Sequence, residues 1–330
     1  MRMFSQIFSL CVAAALVLVA CSVKPATFTL GDAQPSQQID AAAPPAPFLT
    51  KQMTSTRISF SNIWGSGPGD IYITGSNDTL LHSAGDGIWT AVNPTATGMN
   101  YKGIWGSSAN DVYTLSADAF GGKPMILHST GGGSWSPVAV SAEMLGIWGS
   151  AADDIWAVGG NGTIRHSTGG NIWTVSMSPT ANYLYSVWGT GKVNAYAVGT
   201  AGTILRWNGM IWSVEPSGSP QNFESVWGTS ASDVYATAAD GTVLHSTGDG
   251  KWSSQDHTTM WVWAVWGSSS SDIYVVGSPN GAATGILHSE GNGTWAQVDP
   301  GTTILTLRAV WGTGPNNIYF ADDGGVYHHP

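Results

Sequence analysis

The chain reads as an all-β, seven-bladed propeller closed by a strand from its own amino-terminal side. Three observations predict this. A Trp-Gly pair recurs seven times, with its tryptophan at Trp64, Trp105, Trp148, Trp188, Trp227, Trp266 and Trp311, so successive copies lie 41, 43, 40, 39, 39 and 45 residues apart. A period of this length, holding four short strand-like runs separated by glycine-containing turns, is that of a propeller blade. The 43 glycines match an all-β chain with a tight turn at every strand end. Finally, the seventh copy stops at Pro330 without a fourth run, and Phe48 stands where one would have to begin.

Taken in order, residues 1–20 read as an export leader. Arg2 precedes an apolar run from Ile7 to Val19, too short and too near the start for a spanning helix. The run ends in Leu18-Val19-Ala20-Cys21, which resembles a bacterial lipobox. That resemblance implies cleavage before Cys21 and acylation there, with more than one acyl chain for stable anchoring. Ser22 in place of an aspartate resembles lipoproteins passed on to an outer membrane.

Residues 21–47 are the lipidated cysteine and a flexible linker. Pro25, Pro35, Pro44, Pro45 and Pro47, three glutamines and no apolar periodicity leave too little apolar surface to offset the entropy of ordering. As a flexible coil it spans roughly 28 Å. The propeller is expected over 48–330.

Each copy has the same grammar. The first run ends in Ile/Val-Trp-Gly, the second opens with Asp or Asn, the third contains His-Ser, and the fourth opens with a second tryptophan: Trp89, Trp135, Trp173, Trp212, Trp252 and Trp295. A second tryptophan precedes the next Trp-Gly by 13 to 16 residues, and Phe48 precedes Trp64 by 16. Phe48 to Met53 is therefore expected to pair beside the last blade. The turns joining runs one to two and three to four keep their length, while those joining two to three and four to one vary. In a meander these lie on opposite faces, so one face is uniform and the other carries the variation.

The recurring polar residues are read as scaffold. Asp70, Asp111, Asp154, Asn194, Asp233, Asp272 and Asn317, with His82, His128, His166, His245, His288 and His328, are distributed one pair per blade, blade four having Arg206 in the histidine place. A reaction needs one asymmetric site, whereas these groups satisfy buried polar atoms blade by blade. The pattern resembles the Asp, His, Ser and Trp network of WD-repeat propellers.

The third-to-fourth turns, as in His82-Ser-Ala-Gly-Asp-Gly-Ile-Trp89 and His245-Ser-Thr-Gly-Asp-Gly-Lys-Trp252, resemble degenerate Asp-box (BNR) repeats, although Gly132, Gly170 and Asn292 replace the aspartate elsewhere. This implies kinship with sialidase-like propellers and with exported bacterial proteins built of similar repeats.

Departures from the repeat mark the expected binding site, the alternative being that Trp261 and Trp263 plug the channel or pack on the long loop from Ser278 to Gly285. Trp261 and Trp263, five and three residues before Trp266, belong to no repeat position. The same two registers carry Tyr183 and Tyr185, Asn222 and Glu224, and Thr306 and Arg308. Strand alternation puts these registers on a common side, so Tyr183, Tyr185, Glu224, Trp261, Trp263 and Arg308 are expected around the channel mouth on blades four to seven. Aromatics beside an acid and an arginine suit a glycan or a peptide.

Charge narrows the partners. Acids outnumber bases 21 to 11, the net charge is −10 and the pI is near 5.0, which argues against nucleic acid. Both cysteines, Cys11 and Cys21, precede the repeats. The repeats therefore have no thiolate metal site, and no cofactor motif is present. A lipid-anchored, monomeric binding module for a glycan or an envelope protein is the expectation. The alternatives are a sialidase-type glycoside hydrolase, which needs three converging arginines while the mature chain has only Arg57, Arg165, Arg206 and Arg308, or a scaffold for assembling an envelope complex.

Overall fold

A computed structural model describes residues 48–52, 58–94, 98–118, 123–257, 260–279, 284–302 and 306–330. The leader, Cys21, the linker, Met53 and Arg57 lie outside the described residues. Seven four-stranded antiparallel sheets make up the fold, and the innermost strands pack in a closed cycle, that of blade seven against that of blade one. The innermost strands are Phe60–Gly67, Met99–Ser108, Met144–Ala151, Leu184–Gly191, Phe223–Ser230, Trp261–Ser269 and Leu307–Gly314.

Both faces of a blade are covered by its neighbours, which explains why the second strands read as continuous apolar or small runs. Every residue of Asp154–Gly159 and of Asn194–Gly199 is buried. The core is correspondingly divided into seven clusters, one at each junction between adjacent blades.

The Trp-Gly pair is the gear of this cycle. Six of the seven first tryptophans, all but Trp148, reach the glycine of the following blade: a Cβ on Gly106 would lie 2.6 Å from Cη2 of Trp64, one on Gly149 2.6 Å from Trp105, and one on Gly65 2.6 Å from Trp311 across the seam. A side chain there would collide with the indole. The second tryptophans interlock in the other direction. Trp135 meets Tyr72 edge-on, as do Trp173 and Tyr113, Trp212 and Trp156, Trp252 and Tyr196, Trp295 and Tyr235, and, at the seam, Trp89 and Tyr319.

Phe48 takes the seventh place. Its ring lies 6.4 Å from that of Tyr274 and stacks on His329 at 4.0 Å, while Leu49 is buried in the cluster between blades six and seven. Thr50–Gln52 then pairs antiparallel with Val326–His329, Lys51 opposite Tyr327. Gln52 Oε1 accepts a hydrogen bond from Trp89 Nε1 at 2.8 Å, tying the closing strand to blade one. Residues from before the first blade and from the last repeat thus build one four-stranded sheet.

The repeated polar residues form one network per blade. In blade three, Asp154 accepts from Ser150 Oγ at 2.5 Å and contacts His166 Nε2 at 2.8 Å, and Trp156 stacks on His166 at 4.1 Å. Asp70 with Ser66 and His82, and Asp233 with Thr229 and His245, repeat the arrangement. Burial, with the adjacent aspartate adding, pushes the Tyr72 and Tyr235 phenols up to about 12, so they stay protonated and bond to Asp70 and Asp233.

Blade four departs from the pattern. Arg206 replaces the histidine, lies over the Tyr196 ring at 5.4 Å and donates to the Gly248 carbonyl at 2.7 Å. The buried Glu215 accepts from Trp252 Nε1 at 2.9 Å, matching the role of Gln52 at the seam.

Candidate functional site

The pairing of the two inner strands of each blade skips a residue just before the Trp-Gly pair. Leu184 and Ser186 face successive residues of the second strand while Tyr185 faces none, and the same skip leaves out Ser61, Leu145, Glu224, Trp263 and Arg308. In blade two the skip is wider and takes in Lys102. Such a bulge bends the strand and re-aims the extra side chain. All seven side chains, Ser61, Lys102, Leu145, Tyr185, Glu224, Trp263 and Arg308, line one cavity of about 470 Å³ enclosed by the inner strands.

The floor and walls come from the next two positions of the same strands. Gly103, Gly146, Ser186, Ser225, Ala264 and Ala309 are small there, and the adjacent Ile147, Val187, Val265 and Val310 are branched aliphatics. Bulk at the small positions is excluded by neighbouring backbone: a Cβ on Gly146 would lie 2.7 Å from the Tyr185 carbonyl oxygen. Asn62 is the one larger residue at the small register, and Ser59 and Phe60 join the lining from blade one; the charged groups of the lining all stand at the bulged register.

The six residues expected at the mouth divide into two sets. Tyr185, Glu224, Trp263 and Arg308 line the cavity; Tyr183 and Trp261 lie outside it and are exposed. Alternation puts positions three and five before Trp-Gly on one side only in an unbroken ladder, and the bulge between them breaks the alternation.

Position five instead ties down the turn of the preceding blade. Asn100 Oδ1 accepts from the Asn77 backbone N–H and Asn222 Oδ1 from that of Ala201, both turn residues with positive φ. Thr306 bonds to Ser278, and the Tyr183 ring covers Gly160 beside the left-handed Asn161. Lys102, which the sequence reading did not select, belongs with the lining. Its register, three before Trp105, was the available signal.

Electrostatics differ across the cavity. Glu224 on blade five lies between the Tyr185 and Trp263 positions, and among the described residues its carboxylate has no hydrogen-bond or ion-pair partner. Burial alone pushes its pKa up to about 7. Burial also raises the Tyr185 phenol, with the Glu224 charge as the next contribution. Arg308 lies over the Trp263 ring at 4.7 Å and donates to Asp323 at 3.4 Å. Trp263 Nε1 is buried and has no hydrogen-bond partner among the described residues. Lys102, three blades from Glu224, is likewise without an ion-pair partner among the described residues.

The remaining arginines stand elsewhere. Arg165 and Arg206 are on the third strands of blades three and four, Arg165 donating to Ser141 and Arg206 to Gly248, so neither meets Arg308. Among the described residues no group of three or more His, Cys, Asp or Glu is placed to hold a metal ion.

No family model matches the chain, and no curated protein matches it. Solved structures similar to it include YCF48 bound to D1 peptide (TM-score 0.69, 14% identity, 86% of this chain and 96% of that one) and YCF48 from Cyanidioschyzon merolae (0.69, 15%, 86% and 99%). A further one is a catalytically inactive virginiamycin B lyase from Staphylococcus aureus with quinupristin (0.73, 14%, 85% and 98%). At such identities the likeness is one of architecture, and it agrees with the sheets described above: the chain is a seven-bladed β-propeller.

Proposed function

We propose that the ring is a binding module that takes a peptide segment of a protein partner into its axial cavity. One observation carries the reading. Inside the ring the bulged register reads Ser61, Lys102, Leu145, Tyr185, Glu224, Trp263, Arg308, an irregular set that includes aromatic, acidic and basic groups converging on one space. Recognition of a single ligand needs this asymmetry, and a mixture of aromatic and charged anchors is what peptide and protein contacts favour. The YCF48 structure with a D1 peptide supplies a precedent for a peptide on this architecture.

The test is a peptide array and a glycan array probed in parallel with the ring and with Trp263→Ser. Peptide binding that is lost in the variant at unchanged melting temperature supports the proposal. Binding confined to glycans, or peptide binding indifferent to Trp263, overturns it.

We propose as well that the ring is held at a bacterial membrane by acyl groups on Cys21, a reading that rests on Leu-Val-Ala-Cys alone. Labelling with a radioactive fatty acid that disappears in Cys21→Ser supports it. Equal labelling of both proteins overturns it.

A further inference from the structure

We infer that Glu224, walled by Tyr185 and Trp263, is a seat for a primary ammonium group of the bound segment, supplied by a lysine side chain or by a free chain amino terminus. The inference deepens the peptide-binding reading and rests on it.

Geometry carries the argument. Blades four, five and six place an aromatic ring, a carboxylate and a second aromatic ring at the same bulged register, all lining one cavity. Aromatic faces attract cations, more strongly where water is scarce, and a carboxylate between two of them adds a full charge. Among the described residues Glu224 is the only carboxylate that lines the cavity. Glu224 is half-buried, and that burial makes it reluctant to ionise. A cationic ligand would relieve this.

The cavity's own cations do not fill the place. Arg308 is engaged by Trp263 and Asp323, and Lys102 projects from a blade on the other side of the ring. A compact ammonium suits the place better than a guanidinium. Arg308 already occupies the position over the Trp263 ring on which a second planar cation would stack, whereas an ammonium needs only the Glu224 carboxylate and the Tyr185 ring beside it. On the opposite arc, Lys102 and Arg308 flank Ser61. The cavity is therefore polarised, and the same segment would place carbonyl or carboxylate oxygens there.

The titratable group in the lining that interacts with Glu224 is the Tyr185 phenol on blade four, which Glu143 also faces; burial raises this phenol, so it does not compete for the proton near neutrality. The charged lining groups Lys102 and Arg308 stand two or more blades away. Seating an ammonium requires the carboxylate form, so binding below about pH 7 must first remove a proton. Affinity then falls as pH drops, approaching tenfold per unit once Glu224 is mostly protonated.

The probes are Nα-acetyl-lysine methylamide, its Nε-acetylated counterpart and glycinamide, titrated into the ring and followed by NMR. The expected result is upfield ring-current shifts of the methylene protons next to the ammonium. At least tenfold weaker binding is expected on Nε-acetylation and in Glu224→Gln, with no change in Val175→Ala, whose side chain is exposed outside the cavity. The lysine probe and glycinamide distinguish a side chain from a chain terminus, and either binding mode supports the inference. A measurement on the unaltered protein guards against a misfolded variant: calorimetry at pH 7 in buffers of different ionisation enthalpy should show about half a proton released per lysine probe bound. Binding indifferent to Nε-acetylation, no proton release, or no binding of either amine overturns the inference. If array peptides still bind in a Trp263-dependent way, the peptide-binding reading survives that failure.

Discussion

If Phe48 to Gln52 completes blade seven, its side chains should contribute to stability like core residues. Leu49 is 2% exposed and packs with Leu307, Phe320 and Tyr327. Leu49→Ala removes buried methyl groups and leaves a space that surrounding blades cannot fully close. The expected cost is about 2 to 5 kcal/mol. At roughly 2 to 4 °C per kcal/mol in a large domain, the melting temperature should fall by about 4 to 20 °C. Phe48 is half-buried against Tyr274, Phe320 and His329, so Phe48→Ala should cost less, about 1 to 2 kcal/mol. Thr50 is exposed and joins the sheet through its backbone. Thr50→Ala is the control and should stay within about 0.5 kcal/mol.

Urea unfolding followed by tryptophan fluorescence, together with scanning calorimetry, measures all three variants. Deleting residues through Gln52 should add a second effect by exposing the free edge of Val326–His329, an invitation to strand pairing between molecules; concentration-dependent association by sedimentation would report it. Melting of Leu49→Ala and Phe48→Ala within a degree of the parent, with the deletion remaining monomeric, would refute ring closure by this strand.

Three further outcomes test the scaffold and the cavity. Gly149→Ala should cost about 1 to 3 kcal/mol or more because its Cβ meets Trp105, and Trp105→Leu in the same chain should recover part of that loss in a double-mutant cycle. His166→Ala should lower stability by about 1 to 3 kcal/mol by unpairing the buried Asp154, with peptide affinity unchanged when measured well below the melting point. The Glu224 pKa is raised on folding, so the folded ring holds a proton that the unfolded chain gives up between about pH 4.5 and 7. That contribution is full below the unfolded pKa and is lost as pH rises through 7. Glu224→Gln should therefore melt higher than the parent at pH 8, with the gap closing toward pH 4.5. A constant gap across that range would show that Glu224 is not held in its neutral form.

The frame was legible because its residues repeat for mechanical reasons. Trp105 must meet Gly149 and Trp173 must meet Tyr113, so the period of the text is the period of the ring. The closing strand could be placed by the same spacing, with Phe48 standing for the absent seventh tryptophan. The cavity was legible only in part. The backbone bulge carries no residue signature, because the bulged place holds Ser61, Lys102, Leu145, Tyr185, Glu224, Trp263 and Arg308 without common chemistry. Strict alternation consequently grouped Tyr183 with Tyr185 and Trp261 with Trp263, although Tyr183 braces a turn of blade three. Lys102 went unselected because an isolated lysine is ordinary on a surface, and only the closure of the ring turns it inward.

The skipped register also separates what the protein recognises from what holds it upright. A side chain left out of the ladder can be exchanged without disturbing the hydrogen bonds on either side of it. The seven places behave as independent letters on a frame indifferent to the word they spell. Rewriting that word, one blade at a time, is a route to new specificities in which each variant inherits the parent's fold.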